Sequence, residues 1–393
     1  MSHSTLSTDL SKARFFGLDV HQKTITIAMA TSFGDPQFVE TIDNNPAAVA
    51  RFFEAALKSP GKIYTVYEAG GCGYVLARQL EGMGIDNIVA APTKIAKAKG
   101  EVVKNDKKDS IKLSRLLRNH VFMGQKELHA VYVPEVHDEA IREKTRQREA
   151  FKRHAKITQN RITGMLRRYG FRYNLTKTSW TKTYRRWLET VNFEHHTIQD
   201  VFREYLDQLA DIEARVRQCD RVIDELSADW NKAQVVTAFR AFRGIQVLAS
   251  ANIVAEIGDF TRFDSPSKLM GFLGVTPTEY SSGQQVTRGK ISKAGNKRLR
   301  TLLVEVVSTA SRRPKPKAAF LATCPPGLPT EITDHAYKAQ CRLYKKYWRL
   351  VGKGKNPNVA KIAITRELIG FIWAVGCMAQ ALYVPKTCTQ KAA

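Results

Sequence analysis

Nine residues between positions 198 and 226, nearly all apolar, recur at alternating intervals of four and three. They are Ile198, Phe202, Tyr205, Leu209, Ile212, Val216, Cys219, Ile223 and Leu226. A mean period of 3.5 residues is that of a coiled-coil seam, so this segment predicts one long helix that buries a single face. Such a seam can be buried inside one chain or between chains, and the pattern leaves both arrangements open.

A second, less regular seam precedes the first. Residues 141–169 hold a similar spacing with polar interruptions and predict a partner helix, with residues 170–194 as the connection. Residues 134–190 contain 15 Lys or Arg against 6 Asp or Glu, whereas residues 191–232 contain 5 against 10. The two helices would therefore attract each other as an antiparallel pair. The basic helix could equally contact a nucleic-acid backbone or only solvent.

The chain before these helices changes pattern about every ten residues. Strands are predicted at residues 15–20, 24–30, 36–42, 63–70 and 86–92, and helices at 45–57 and 74–83. This alternation predicts a mixed α/β domain. Residues 94–108, rich in Lys, predict a loop, and Asp106 opens a further helix.

Positive charge is concentrated near the C-terminus. The chain of 393 residues has a formal net charge of +25, and residues 233–393 alone hold 25 Lys or Arg against 8 Asp or Glu. A polyanion is therefore the expected partner. We divide the chain into an α/β domain at 1–130, a helical coiled coil at 131–232 and a basic, mainly α-helical domain at 233–393.

Nothing in the sequence predicts export or a membrane span. The first 20 residues lack the charged and apolar blocks of a secretory signal. The uncharged run at 368–384 has 17 residues, fewer than the roughly 20 that a spanning helix needs, so we expect a buried helix. Six scattered Cys without a C-x-x-C pair argue against a disulfide framework, and we expect a cytoplasmic protein.

Four acidic residues form the first candidate site. Asp19 and Glu68 lie near the ends of apolar strands, where α/β sheets place ligands, and Asp106 and Asp109 share one face of a helix start. Converging carboxylates repel one another unless a cation compensates, and oxygen ligands suit Mg²⁺ or Mn²⁺. Two such ions could activate an attacking oxygen and stabilise a leaving oxygen at a phosphodiester. The simpler alternatives are an N-cap for Asp106 and a solvated helix acid for Asp109.

The segments GLDVHQK, VYEAGG and KNDKKDSIKLSRLL, in this order, resemble the RuvC-like domain of DEDD insertion-sequence transposases, the bridge-RNA-guided recombinases. The resemblance implies an RNase H-like (RuvC-like) α/β fold in which Asp19, Glu68, Asp106 and Asp109 bind the metal ions. His21 would point to the same side of its strand as Asp19, but we expect a structural or exposed role for it.

The second candidate site lies between residues 276 and 307, where Gly and Ser occur before a helix that begins near Asn296, and the densest basic segment runs from Arg288 to Lys317. Glycines and a helix N-terminus favour contact with phosphate. Candidate nucleic-acid-binding residues are Arg288, Lys290, Lys293, Lys297, Arg298, Arg300, Arg312 and Arg313. By composition Ser281 and Ser282 are turn residues. The stretch also resembles the family's C-terminal transposase domain, whose serine nucleophile falls on Ser282, with Ser281 as the neighbouring alternative.

Two further segments carry weaker signals. Residues 242–277 resemble the family's helix-hairpin-helix-like segment, but the usual Pro-Gly-Ile-Gly reads Arg243-Gly244-Ile245-Gln246, and loss of the second glycine weakens a phosphate contact. Basic runs at 312–317 and 345–361 contain or adjoin aromatic residues. They suit RNA, or they are a solvated basic surface.

The residues themselves predict nucleic-acid binding and divalent metals, and the resemblance implies a DNA recombinase of an insertion sequence. The resemblance implies DNA, both donor and target, as substrate, a structured guide RNA, and a homo-oligomer, from dimer to tetramer, whose active site combines the serine of one subunit with the metals of another. One alternative is a metal-dependent junction nuclease that needs no serine. Another is a non-catalytic nucleic-acid-binding scaffold.

Overall fold

The computed structural model describes residues 10–95, 105–174, 179–282 and 285–382. Its internal contacts divide the chain into two compact units, residues 1–133 and 134–393, which we call the N-terminal and the C-terminal unit. The loop predicted at residues 94–108 falls largely outside the described residues. The three-part division of the sequence is finer than these two units and stays a prediction.

The N-terminal unit is built on one five-stranded mixed sheet. Its strands are β1 (Arg14–Val20), β2 (Thr24–Thr31), β3 (Gln37–Asp43), β4 (Ile63–Glu68) and β5 (Asp86–Ala90). The strand order is β3-β2-β1-β4-β5. The first three strands form antiparallel neighbours, whereas β4 is parallel to both β1 and β5. The strands predicted from the alternating pattern are confirmed.

Helices cover both faces of this sheet. They are α1 (Pro46–Leu57), α2 (Val75–Gly82) and α3 (Asp106–Val121). Phe16, Leu18 and Tyr67 point to the face with α1 and α2, where they join one apolar core. Phe15 and Val66 point to the opposite face and pack with α3. Because side chains alternate along a strand, each face receives every second residue.

The helix α3 lies unusually close to β1 at Gly17. A Cβ atom at position 17 would stand 2.2 Å from the carbonyl oxygen of Ser110 and 2.3 Å from the amide nitrogen of Ser114. Both serines are fully buried, and their hydroxyls donate to carbonyls of their own helix. Small residues on both sides therefore let the helix backbone rest directly on the strand.

The C-terminal unit is mainly helical. Its helices are α4 (Val136–Arg168), α5 (Lys182–Thr190), α6 (His196–Ala228), α7 (Ala233–Phe239), α8 (Val247–Ile257), α9 (Pro266–Phe272), α10 (Lys297–Val307), α11 (Lys317–Leu321), α12 (Thr330–Gly352) and α13 (Pro357–Leu382). One antiparallel hairpin interrupts them, formed by β6 (Pro277–Ser282) and β7 (Gln285–Ile291).

The two long helices predicted from the seams are confirmed as α4 and α6, with 33 residues each. They run antiparallel, because Thr158 of α4 meets Gln208 of α6 and Arg148 pairs with Asp220 further along. The seam of α6 faces α4 of the same chain, with Phe202 fully buried between them. A coiled coil between protomers stays a prediction.

The apolar helix α13 is a core element of the C-terminal unit. Among the described residues it is the one helix long and apolar enough to cross a bilayer, with 26 residues and a mean hydropathy of 1.6 in its most apolar stretch. Ile364, Ile369 and Val375 are buried in the main core, and Gly376 lets the ring of Phe260 approach closely. This packing agrees with the buried helix expected at 368–384.

We predict that Gly17→Ala destabilises the N-terminal unit by about 1–3 kcal/mol, because the added methyl group forces α3 away from β1. Urea denaturation of the full chain, followed by circular dichroism, measures the change. Gly82→Ala is the matched control, since its added methyl group meets no atom within 4 Å at the end of a helix. An equal loss of stability in both variants would contradict the proposed close contact.

Candidate active site

Asp19, His21 and Asp106 lie together at the carboxyl end of β1. The imidazole Nε2 of His21 lies 3.2 Å from a carboxylate oxygen of Asp19 and 3.5 Å from one of Asp106. One potential ligand atom from each of the three residues lies within 4.8 Å of the other two. The side chain of Asp19 is 21% exposed, whereas those of His21 and Asp106 are about half-exposed. The group therefore opens to solvent on one side.

Asp106 reaches this group because α3 begins beside the end of β1. Asn105 caps the helix, and its side-chain oxygen accepts a hydrogen bond from the amide of Lys107 at 3.0 Å. Asp106 is thus the first helical residue, and the N-cap alternative for it is wrong. The close contact at Gly17 fixes α3 along β1, which places the first turn of the helix next to Asp19.

Asp109 belongs to the same electrostatic environment. It follows Asp106 by three residues, which puts both on one helix face, and its side chain is half-buried. The pKa of Asp19 is raised, first by burial and then by the negative charges of Asp106 and Asp109, although His21 opposes the shift. Three acids therefore act on one another across the junction of β1 and α3.

Glu68 stands at the same edge of the sheet. Leu18 of β1 pairs with Tyr67 of β4 in parallel register, so Asp19 and Glu68, the next residue of each strand, lie side by side. Neighbouring strands are about 4.8 Å apart, and in-register residues point to the same face, here the face covered by α3. The Glu68 side chain is exposed and lies outside the tight group of three.

The donor set fits a hard divalent cation. Asp19, Asp106 and Asp109 offer carboxylate oxygens that repel one another without a compensating charge, and Glu68 adds a further carboxylate at the same edge of the sheet. His21 was expected to be structural or exposed. Its ring is half-exposed but contacts two of the acids, and the signal for this was its position two residues beyond Asp19 on one strand.

The candidate serines lie at the end of β6. Ser281 pairs with Val286 of β7, and Ser282 pairs with Gln285. The expectation that both are turn residues is wrong, because each belongs to a strand. The side chains of Ser281 and Ser282, and residues 283–284, lie outside what the structure describes.

Backbone contacts hold the base of this hairpin. The amide of Ser292 donates to the carbonyl of Thr276 at 2.8 Å, and the amide of Lys293 donates to that of Gly274 at 3.0 Å. Gly295 fits against Phe272 so closely that a Cβ atom would stand 2.1 Å from the Phe272 carbonyl oxygen. The hairpin therefore leaves the helical body from a fixed base.

A buried charged network holds the start of α10, which follows the hairpin. Glu256, which is 6% exposed, accepts hydrogen bonds from Asn296 at 2.8 Å and from Arg146 at 3.1 Å. Asn296 also caps α10 by accepting from the amide of Leu299. The sequence did not predict this network, because its members are distant along the chain. Arg146 is 110 residues from Glu256, and Asn296 is 40 residues from it.

The predicted basic residues differ in their surroundings. Arg298 donates a hydrogen bond to the Glu149 carboxylate at 2.5 Å, and Arg300 donates to the carbonyl of Leu273 at 2.9 Å. Both side chains therefore have partners within the protein. The other predicted positions whose side chains the structure describes are exposed: Lys290, Lys293, Lys297, Arg312 and Arg313. The side chain of Arg288 lies outside the described residues.

A cleft of about 920 Å³ lies beside the first turns of α10, between this helix, α4 and α8. Lys297 and Arg298 line it from α10, and Arg148, Lys152 and Arg153 line it from α4. Of the five cationic side chains, Arg148 is paired with Asp220 and Arg298 with Glu149, so the positive charge of the cleft comes mainly from Lys152, Arg153 and Lys297.

The glycine turn of the helix-hairpin-helix-like segment serves internal packing. Gly244 has a positive φ of 89° and lies against the side chain of Thr309. Arg243 donates to the carbonyls of Arg312 and Arg313 at 3.1 and 2.9 Å. These contacts join the turn to the segment after α10.

The mixed sheet, with helices on both faces, agrees with the RNase H-like α/β fold that a DEDD-type transposase domain implies. Residues 16–171 match the DEDD sequence model described as a transposase. Residues 236–321 match the model described as the transposase IS116/IS110/IS902 family.

Similar proteins cover most of the chain. A protein of Sinorhizobium fredii named as transposase y4qE is 34% identical over 363 residues, which are 92% of this chain and 88% of that protein. The transposase for insertion sequence element IS1533 of Leptospira borgpetersenii is 28% identical over 87% of this chain and 97% of its own length. The chain belongs to the IS116/IS110/IS902 family of transposases. It is thus an insertion-sequence transposase that acts on DNA.

We predict that Asp106→Asn lowers the affinity for Mn²⁺ by about tenfold or more, since it removes a charged oxygen ligand beside Asp19. Isothermal titration calorimetry of the full chain with Mn²⁺ alone measures this. Glu54→Gln, on the exposed side of α1, is the control and is expected to bind like the unaltered protein. Unchanged Mn²⁺ binding by the Asp106 variant would exclude this position as a ligand.

Proposed function

We propose that this transposase cuts and exchanges DNA strands with two groups of residues, a carboxylate site formed by Asp19, Glu68, Asp106 and Asp109, and the hydroxyl of Ser282. The observation that carries the proposal is the convergence of the acids at the end of β1 and the start of α3. Mg²⁺ or Mn²⁺ bound there would stabilise charge that develops on phosphate oxygens.

The proposed chemistry is a transesterification. The Ser282 oxygen attacks a DNA phosphorus and gives its proton to solvent, while one bond between that phosphorus and a deoxyribose oxygen breaks. The released oxygen takes up a proton, and the DNA end is held as a phosphoserine ester. Attack by the hydroxyl of a second DNA strand then restores the serine. One phosphodiester is lost and one is made, so no external energy source is needed.

The position of the serine supports a role distinct from that of the acids. Ser282 is at the far end of β6, and the base of its hairpin is fixed next to α10 and the cationic cleft. A cleft lined by cations suits a phosphate backbone, with Lys290, Lys293 and Lys297 exposed nearby in the sequence. We propose that this surface holds the DNA that Ser282 attacks.

Assembly into a dimer or tetramer is part of the proposal. The acids belong to the N-terminal unit and Ser282 to the C-terminal unit. A composite site, with the serine of one subunit and the metals of another, would make cleavage depend on assembly. The long helices α4 and α6 carry exposed apolar side chains such as Ile157 and Val201, which suit contacts between protomers. We place the complex in the bacterial cytoplasm or nucleoid.

We predict that Ser282→Ala lowers strand exchange between two plasmids by about a thousandfold or more, because no covalent DNA link can form. Gel electrophoresis under denaturing conditions detects the protein–DNA adduct in the unaltered protein. Ser281→Ala, the neighbouring position, is the control and is expected to keep both signals. Full strand exchange by the Ser282 variant with a loss in the Ser281 variant would assign the nucleophile to Ser281, whereas full exchange by both variants would favour a metal-dependent junction nuclease.

The scaffold alternative is tested on the acids. Asp106→Asn and Glu68→Gln should abolish strand exchange while DNA binding persists, since neither acid lies on the basic surface. Normal exchange by both variants would support a binding protein without metal chemistry.

We also propose that a structured RNA encoded by the insertion sequence guides this enzyme, in keeping with its large positive charge of +25. RNA that copurifies with the full chain is expected to be one discrete species that maps beside the gene. Sequencing of that RNA is the measurement. A mixture of abundant cellular RNAs, released together as salt rises, would contradict guidance.

A further inference from the structure

Helix α12 presents a row of basic residues along one face. Lys338, Arg342, Lys345 and Arg349 follow one another at intervals of four, three and four residues, and all four side chains are exposed. This spacing places them within one narrow stripe of a helix. The stripe is about 16 Å long at 1.5 Å per residue.

A second row runs beside the first. Tyr337, Cys341, Tyr344 and Trp348 each precede a member of the basic row by one residue, so they form a parallel stripe about 100° around the helix. The Trp348 side chain is 48% exposed, the largest exposure in this row. Its indole nitrogen donates to the carbonyl of Ser311 at 3.0 Å, which fixes one edge of the ring.

The charge of the basic row is only partly neutralised. Arg342 donates to Glu367 of α13 at 2.6 Å, and Lys346, on the other flank, pairs with the same carboxylate. This pairing lowers the pKa of Glu367 although burial opposes the shift. Within the described part of the chain, Lys338, Lys345 and Arg349 have no ion-pair partner.

A surface groove of about 600 Å³ follows the basic row, and Tyr344 and Trp348 lie outside its lining. Members of the basic row line it together with Tyr337 and Cys341. The groove lies outside residues 16–171 and 236–321, which the two family models match. It is also distinct from the cationic cleft beside α10.

We propose that α12 is a binding surface for single-stranded DNA, with phosphates along Lys338, Lys345 and Arg349 and unpaired bases stacked on Trp348 and Tyr344. A basic stripe alone would suit a duplex equally well. The aromatic row distinguishes the two, because bases can stack on side chains only when they are unpaired. Strand exchange passes through unpaired DNA, so the transposase activity supplies such a strand.

This surface goes beyond the metal and serine chemistry, and binding tests it independently of catalysis. The first probe is a fluorescent 20-nucleotide oligo-dT, whose affinity for the full chain is measured by anisotropy at several salt concentrations. We predict that the triple variant Lys338→Gln, Lys345→Gln, Arg349→Gln weakens binding at least about fivefold. It should also reduce the slope of log affinity against log salt by about 2, since each single-strand phosphate contact contributes about 0.7.

The matched control removes the same charge elsewhere. Arg203→Gln, Arg217→Gln and Arg221→Gln alter three exposed basic residues of α6 and are expected to change the affinity less than about twofold. An equal loss in both triple variants would overturn the proposal, because overall charge would then explain the binding.

Stacking is tested at Trp348. Trp348→Leu should weaken oligo-dT binding about fivefold or more and leave binding of a 20-base-pair duplex unchanged. Trp348→Phe loses the hydrogen bond to Ser311 but keeps an aromatic face, so it should restore most of the affinity. A duplex affected as strongly as the single strand, or equal losses in both Trp348 variants, would overturn the assignment. So would an effect confined to single-stranded RNA.

Discussion

Helix α3 can lie directly on the sheet because β1 carries no side chain at Gly17, and the geometry of the acidic site follows from that contact. The serines that face Gly17 belong to the same helix as Asp106 and Asp109. Because the helix is rigid, contact at Ser110 and Ser114 also fixes the position of its first turn, where Asp106 and Asp109 lie. The acids of α3 therefore meet Asp19 at a set distance, although burial and mutual repulsion both oppose the ionised state of Asp19.

In the C-terminal unit, a buried network of polar side chains fixes the helices relative to one another, as the contact at Gly17 does in the N-terminal unit. Glu256 is buried where α4, α8 and the start of α10 meet, and it is stable there because Arg146 and Asn296 satisfy its oxygens. A buried carboxylate that lost one of these partners would be costly. The network thus connects the long helix pair to α10, the helix that follows the β6–β7 hairpin, and α10 also lines the basic cleft.

Sequence patterns predicted the strands and helices whose formation depends mainly on residues close together in the chain. The strands predicted at residues 15–20 and 63–70 placed Asp19 and Glu68 near strand ends, and helical spacing predicted α3 and α6. Ser281 and Ser282 could not be placed in this way, because a polar strand such as β6 lacks alternation and forms only by pairing with β7. The Glu256 network was equally hidden, since its members are distant in sequence. The assignment of the chain to a transposase family came from resemblance and relatives, because isolated acids have no diagnostic pattern.

The hairpin that carries Ser282 has a further consequence for reach. Its base is fixed at Thr276 and Ser292, and five residue steps of about 3.4 Å separate Pro277 from Ser282, roughly 17 Å in all. Because the base is fixed, the length of β6 sets how far Ser282 lies from it. One added residue in each strand would move Ser282 about 3.4 Å further from the base and place it on the opposite face of the hairpin. Two added residues in each strand would return it to the original face. The distance that the hairpin spans can therefore change, with the side of the strand on which Ser282 lies preserved, only in steps of two residues per strand.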